Sequence, residues 1–158
     1  MRLKYLAFLI TAFLFSELPT LSAARGIHAI QLQRAYPALI GRETNNIVEL
    51  KVTAEEDGHA IKAFQFDFKG TDELHDIGSM TLFLGGPEGQ LTTEWSVGTA
   101  NTPADRLIFS RRITLKKGDN WFWLSCKLKS TASLLHHIDV ECSQIETTAG
   151  LIKPLDKM

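Results

Sequence analysis

Residues 121–128 read Trp121-Phe122-Trp123-Leu124-Ser125-Cys126-Lys127-Leu128. Side chains on a β-strand alternate between its two faces. Phe122, Leu124, Cys126 and Leu128 therefore share one apolar face, and Trp121, Trp123, Ser125 and Lys127 share the other. No helical period fits these eight residues, so the stretch reads as a strand with one face toward a core.

The same period extends outward. Lys116-Lys117-Gly118-Asp119 is a turn before this strand, and Arg106 to Leu115 forms β-type sequence before the turn, with Ile108, Ile113 and Leu115. Further upstream, Val48, Leu50 and Val52 alternate with Glu49, Lys51 and Thr53. Phe64, Phe66 and Phe68 alternate with Gln65 and Asp67, and Met80, Leu82 and Leu84 share one face. Glu55-Glu56-Asp57-Gly58 and Gly85-Gly86-Pro87-Glu88-Gly89 break the runs. Trp95 and Val97 suggest a short strand, followed by a surface loop from Gly98 to Asp105. Downstream, Thr131 to His137 suggests a helical turn, and Ile138 to Ile145 a last strand with Ile138, Val140 and Cys142 inward. Many short strands without βαβ alternation predict a single all-β domain, a jelly-roll-like β-sandwich over residues 27–150, with 151–158 as a C-terminal tail.

The N-terminus predicts export. Arg2 and Lys4 precede an uncharged run from Tyr5 to Phe15, and Leu21-Ser22-Ala23-Ala24 supplies small residues for cleavage. This is the pattern of a secretory signal peptide, placed at residues 1–23, and the destination is the periplasm or the extracellular space. The apolar run is too short to span a hydrocarbon layer of ~30 Å. Lys and Arg total 17 against 18 Asp and Glu, a formal net charge of −1, so the chain carries no footprint for nucleic acid.

Candidate sites are few. Cys126 and Cys142 invite a disulfide in an exported chain, and equally fit two small buried apolar side chains. His136-His137 is the one histidine cluster, but neighbouring strand residues point to opposite faces, so no metal site is expected. There is no Gly-x-Ser-x-Gly elbow and no phosphate loop, and no cofactor is implied. Glu55, Glu56 and Asp57 read as a solvated turn, and Asp72, Glu73 and Asp76 as a polar connector, so no carboxylate pair flanks a cleft as a glycosidase requires. Trp121 and Trp123 are the glycan-binding candidates, because an indole offers an apolar face and a polar handle to a sugar ring. The competing reading packs both under a loop or a neighbouring domain.

Four segments carry a family resemblance. They are Tyr36-Pro37-Ala38-Leu39-Ile40-Gly41-Arg42-Glu43-Thr44-Asn45-Asn46; Phe68-Lys69-Gly70-Thr71 with Leu74 and Ile77; Met80 to Leu84; and Leu115 to Ser125, with its Gly-Asp-Asn-Trp-Phe-Trp-Leu-Ser end. In this order, from about His28 to about Gly150, they resemble the N-terminal domain attached to BNR-repeat neuraminidases, bacterial sialidases. The resemblance implies a β-sandwich, similar to a carbohydrate-binding module, that precedes a six-bladed catalytic propeller. That propeller carries the arginine triad, the Tyr/Glu nucleophile pair, the acid Asp and the Ser-x-Asp-x-Gly-x-x-Trp boxes. No such box occurs in this sequence, so no catalytic residue carries over. The expectation is a non-enzymatic accessory module whose partners are glycans or a sialidase or other glycoside hydrolase catalytic domain. A truncated exo-α-sialidase and a purely structural interaction domain are the alternatives.

Overall fold

The structure is a computed structural model that describes residues 25–33, 36–101 and 104–157. The segment assigned to the signal peptide lies outside the described residues.

Among the described residues ten strands follow in order: β1 (Ile27–Gln33), β2 (Asn45–Ala54), β3 (Ala60–Asp67), β4 (Ile77–Leu84), β5 (Ser96–Ala100), β6 (Arg106–Thr114), β7 (Gly118–Leu128), β8 (Glu141–Thr147), β9 (Gly150–Ile152) and β10 (Leu155–Asp156). They form a six-stranded sheet in the order β10-β1-β2-β7-β4-β5 and a four-stranded sheet in the order β6-β3-β8-β9. The chain changes sheet after β2, β3, β5, β6, β7 and β9, so β2-β7-β4-β5 stack over β6-β3-β8 in the nested order of a jelly roll. Two sheets pack this way because each has one apolar face to hide.

β7 sits between β2 and β4, and its apolar row faces inward as its alternation requires. Leu50 pairs with Phe122, and Val48 and Leu82 both flank Leu124. From the opposite sheet, Phe64, Phe66 and Phe68 meet this row and are all buried. The rings of Phe64 and Phe122 lie 4.8 Å apart across the sandwich. Phe109 of β6 closes edge-on against Phe66 at 5.9 Å. Tilted aromatic pairs of this kind contribute about 0.5–1.5 kcal/mol beyond their burial.

Several segments differ from expectation. β5 runs through Gly98 to Ala100, which the sequence marks as loop; here Leu82 pairs with Gly98, whose missing side chain makes room for the Phe109 ring. Residues 131–137 form turns rather than a helical turn, and the two short 3₁₀ turns lie at Leu74–Asp76 and Pro87–Gly89. The last predicted strand starts later, at Glu141, because the 130–139 segment is tied instead to the loop before β4. The segment expected as a tail is folded: β9 pairs with β8, and β10 runs parallel to β1. The side-chain amide of Gln31 on β1 donates to Asp156.

Cys126 and Cys142 are free thiols, so the disulfide is replaced by the apolar reading. They belong to strands of different sheets, and the Cys142 thiol donates to the Gln144 carbonyl instead. Burial pushes the Cys126 thiol up to about 12 and the Cys142 thiol up as well. Both therefore stay protonated and unreactive at neutral pH.

Candidate functional site

The outer face of the six-stranded sheet carries the candidate residues Trp121 and Trp123. Register places Glu49 beside Trp123 and Lys51 beside Trp121, while Phe83 flanks Trp123 from β4. On an open sheet this row would face water. Here the 85–95 excursion between β4 and β5 folds back over it. Leu84 N–H donates to the Trp95 carbonyl at 2.9 Å, Gly85 N–H to the Trp121 carbonyl at 2.7 Å, and Gly86 N–H to the Gln90 carbonyl at 2.8 Å.

Glycine makes this close approach feasible. A Cβ on Gly89 would stand 2.8 Å from the fused bond of the Trp121 indole, and one on Gly85 would stand 2.7 Å from Trp121 Cβ. Gly89 also has φ +82°, a left-handed conformation that side chains resist. Trp121 is thus half-buried beneath loop backbone. Lys51 Nζ lies 5.6 Å from its ring centroid and pairs with Asp119 at 3.1 Å.

Trp123 is only 8% exposed, and Ser125 on the same row is buried too. Of the two readings of Trp121 and Trp123, open indoles on a solvent face or indoles packed under a loop, the structure matches the second: the 85–95 loop lies against the Trp121 ring and Trp123 is buried. Phe83 and Trp123 form a small apolar layer outside the inter-sheet core.

This layer is incompletely satisfied. Trp123 Nε1 is a buried donor with no acceptor, the only such side-chain atom among the described residues. An unpaired buried donor costs about 1–3 kcal/mol. The indole borders a shallow depression lined by Tyr36, Asn46, Glu49, Glu88, Gly89 and Leu91. Glu49 is 6% exposed, and Tyr36 is 71% exposed at the rim. Asn46 accepts from the Ser125 hydroxyl, which fixes its amide orientation. Glu88 holds φ 59° and ψ 20°, the one described non-glycine residue in the left-handed region. Such strain persists where the surroundings enforce it and concentrates at functional sites.

Sequence reasoning missed Glu49, Asn46, Tyr36, Glu88 and Leu91. Alternation marked Glu49 as solvent-facing, because nothing in local sequence shows that a loop some forty residues downstream returns over it. The glycines at 85, 86 and 89 were the available signal, since they let backbone lie flat on a ring.

A second concavity opens at the end of the sandwich, between residues 36–42 and the 67–76 and 132–139 segments. Its wall is a polar clamp. His136 Nδ1 lies 2.7 Å from Asp76 Oδ2, Ser133 N–H donates to the same oxygen at 3.1 Å, and His137 N–H donates to Asp72 at 2.8 Å. The side-chain hydrogen bond from His136 holds the Asp76 carboxyl below its usual range, and the His137 amide does the same for Asp72. The two histidines thus face separate carboxylates. Beside them Leu134 and Leu135 point to solvent, Leu135 with 86% exposure.

Fold and site together define a jelly-roll β-sandwich module with a loop-covered aromatic layer on one outer face. The family described as the N-terminal domain of BNR-repeat neuraminidase matches residues 27–149, and the chain belongs to that family. A search of the curated proteins found no match. Among solved structures, the Hadza microbial sialidase Hz136 superposes on 81% of this chain with a TM-score of 0.66 and 18% sequence identity. The chain spans 30% of the length of that sialidase, and at this identity the likeness shows the fold. The chain is thus an accessory-type domain of the sialidase family. Among the described residues no helix is long and apolar enough to cross a membrane.

Proposed function

We propose that the chain is an exported, non-catalytic accessory module that binds glycans on behalf of a sialidase-type catalytic domain. One observation carries the reading most directly. The family match covers nearly the whole described sandwich and is to the domain that precedes the catalytic part of neuraminidases. The outer-face depression supports it, because an aromatic floor with a few convergent polar groups is the usual form of a small-ligand site. Export would place the module where extracellular glycans occur.

The test is a glycan array probed with the folded chain. Binding to a defined set of glycans supports the reading, and a folded chain that binds none refutes it. A docking role is the second reading. It rests on Leu134 and Leu135, whose exposure at the clamp end exceeds what a solvated loop needs. Replacing both with Ser would abolish docking to a sialidase catalytic domain while leaving glycan binding intact.

A further inference from the structure

We infer that the concavity at the end of the sandwich and the outer-face depression form one track, crossed at Tyr36, that takes a chain of several sugar residues rather than a single terminal sugar. The inference rests on the glycan-binding reading and deepens it, by naming where the glycan lies and how long it must be.

The two hollows share residues, because Tyr36 and Asn46 line both. Tyr36 is 71% exposed, so its ring offers an apolar face to the C–H groups of a sugar passing from one hollow to the other. The concavity encloses about 1580 Å³ and the depression about 400 Å³. The larger hollow exceeds the ~300–1,000 Å³ of a pocket for one small ligand, so a single sugar would leave most of it empty. Its walls are held before any ligand arrives. The buried Asn45 amide accepts from Leu39 N–H at 2.8 Å and donates to the Leu39 carbonyl at 3.1 Å, which fixes the 36–42 segment. Asp72 and Asp76 fix the opposite wall through the clamp. A site ordered in advance loses less freedom on binding.

The lining chemistry points to the ligand class. A carboxylate only accepts, so the proton between His136 and Asp76 sits on Nδ1, and the same holds for His137 and Asp72. The neutral rings therefore present Nε2 as an acceptor, and among the described residues nothing bonds either atom. Gln33 donates its amide N–H to Asp139 at 3.0 Å, which leaves its Oε1 as a third acceptor on the same concavity. Three acceptors held in place suit a ligand that donates repeatedly. Sugar hydroxyls do so, an ionised carboxylate or sulfate cannot, and an extended peptide carries one backbone N–H per residue. Arg42 and Lys69 also line the concavity and supply donors for the oxygens of the same hydroxyls.

The test is titration of the folded chain with graded neutral series, the cello-, malto-, xylo- and N-acetyllactosamine oligosaccharides of two to six residues, beside the glycan array. Affinity in at least one series is expected to rise at least about tenfold between its shortest and longest members. Tyr36→Ala changes an exposed side chain, and it is expected to weaken the longer chain about threefold to tenfold. The carbon-bound imidazole proton signals of His136 and His137, assigned by single His→Gln variants, are expected to shift with the same chain. If array glycans bind but no series gains with length, the inference falls and the glycan reading stands. Wild-type affinity in Tyr36→Ala, or histidine signals that both stay still on binding, likewise overturns the track. A folded chain that binds no glycan removes the reading and the inference together.

Discussion

Replacing Gly89 with Ala probes the contact on which the outer face depends. Two separate terms oppose the new methyl group. Gly89 sits at φ +82°, and a left-handed conformation costs an L-residue roughly 1–2 kcal/mol. The methyl would also stand 2.8–3.0 Å from three indole carbons of Trp121, closer than real Cβ contacts allow. Overpacking of this sort costs about 1–3 kcal/mol. The sum is a destabilisation of about 2–5 kcal/mol, a large share of the stability of a small domain. The overlap term has a specific partner and can be isolated. In a Trp121→Ala background the ring is gone, so Gly89→Ala should cost only the backbone term, about 1–2 kcal/mol. Urea denaturation of the four proteins gives a double-mutant cycle, and a coupling of at least about 1 kcal/mol is expected. If Gly89→Ala costs the same in both backgrounds, the loop does not rest on the indole, and the explanation for the burial of the aromatic layer fails.

Other outcomes follow from the same geometry. Cys126 and Cys142 should both remain unmodified by a thiol reagent under native conditions and react together on unfolding in urea; intact-protein mass should show no bridge. Arg106 Nε donates to Asp67 at 3.0 Å, and this hydrogen bond holds the Asp67 carboxyl below the usual range of an aspartate. A depressed carboxyl contributes stability that is full above its unfolded pKa and is lost as pH falls through the folded one. Asp67→Asn should therefore lower stability by about 1 kcal/mol at neutral pH, since the arginine is largely exposed, and reduce the loss of stability on acidification below about pH 4. At the clamp, Asp76→Asn should accelerate amide exchange across residues 133–137 while leaving exchange in β7 unchanged; equal acceleration in both would mean that the clamp is not a local device.

The parts of the fold that were legible in sequence are those with two-residue periodicity and one buried face. β7, β2, β3 and β4 fall within a few residues of their predicted bounds, because Phe122/Leu124, Val48/Leu50/Val52, the Phe64/Phe66/Phe68 row and Met80/Leu82 leave only one face for the core. The short edge elements were not legible. β1 mixes apolar and polar residues on both faces, and Gln31 is buried because Asp156 and the Cys142 amide meet it there, which is a tertiary fact. β9 and β10 are too brief to carry a period. The same limit governed the site. The family was readable from ordered segments, and the two indoles were correctly placed on one outer row. Whether that row faced water depended on where the 85–95 loop returned, which no local sequence pattern carries.

A chemical logic links these levels. A jelly roll hides one face of each sheet between its layers and leaves two outer faces. The glycine-rich β4–β5 connection folds over one of them and leaves a shallow depression bordered by Trp123. The most direct test of the central claim is mobility of the folded chain in native gels containing mucin, before and after the mucin is stripped of sialic acid. The account predicts that mucin retards the folded chain in at least one of the two gels. Unaltered mobility of the folded wild type in both gels would contradict it.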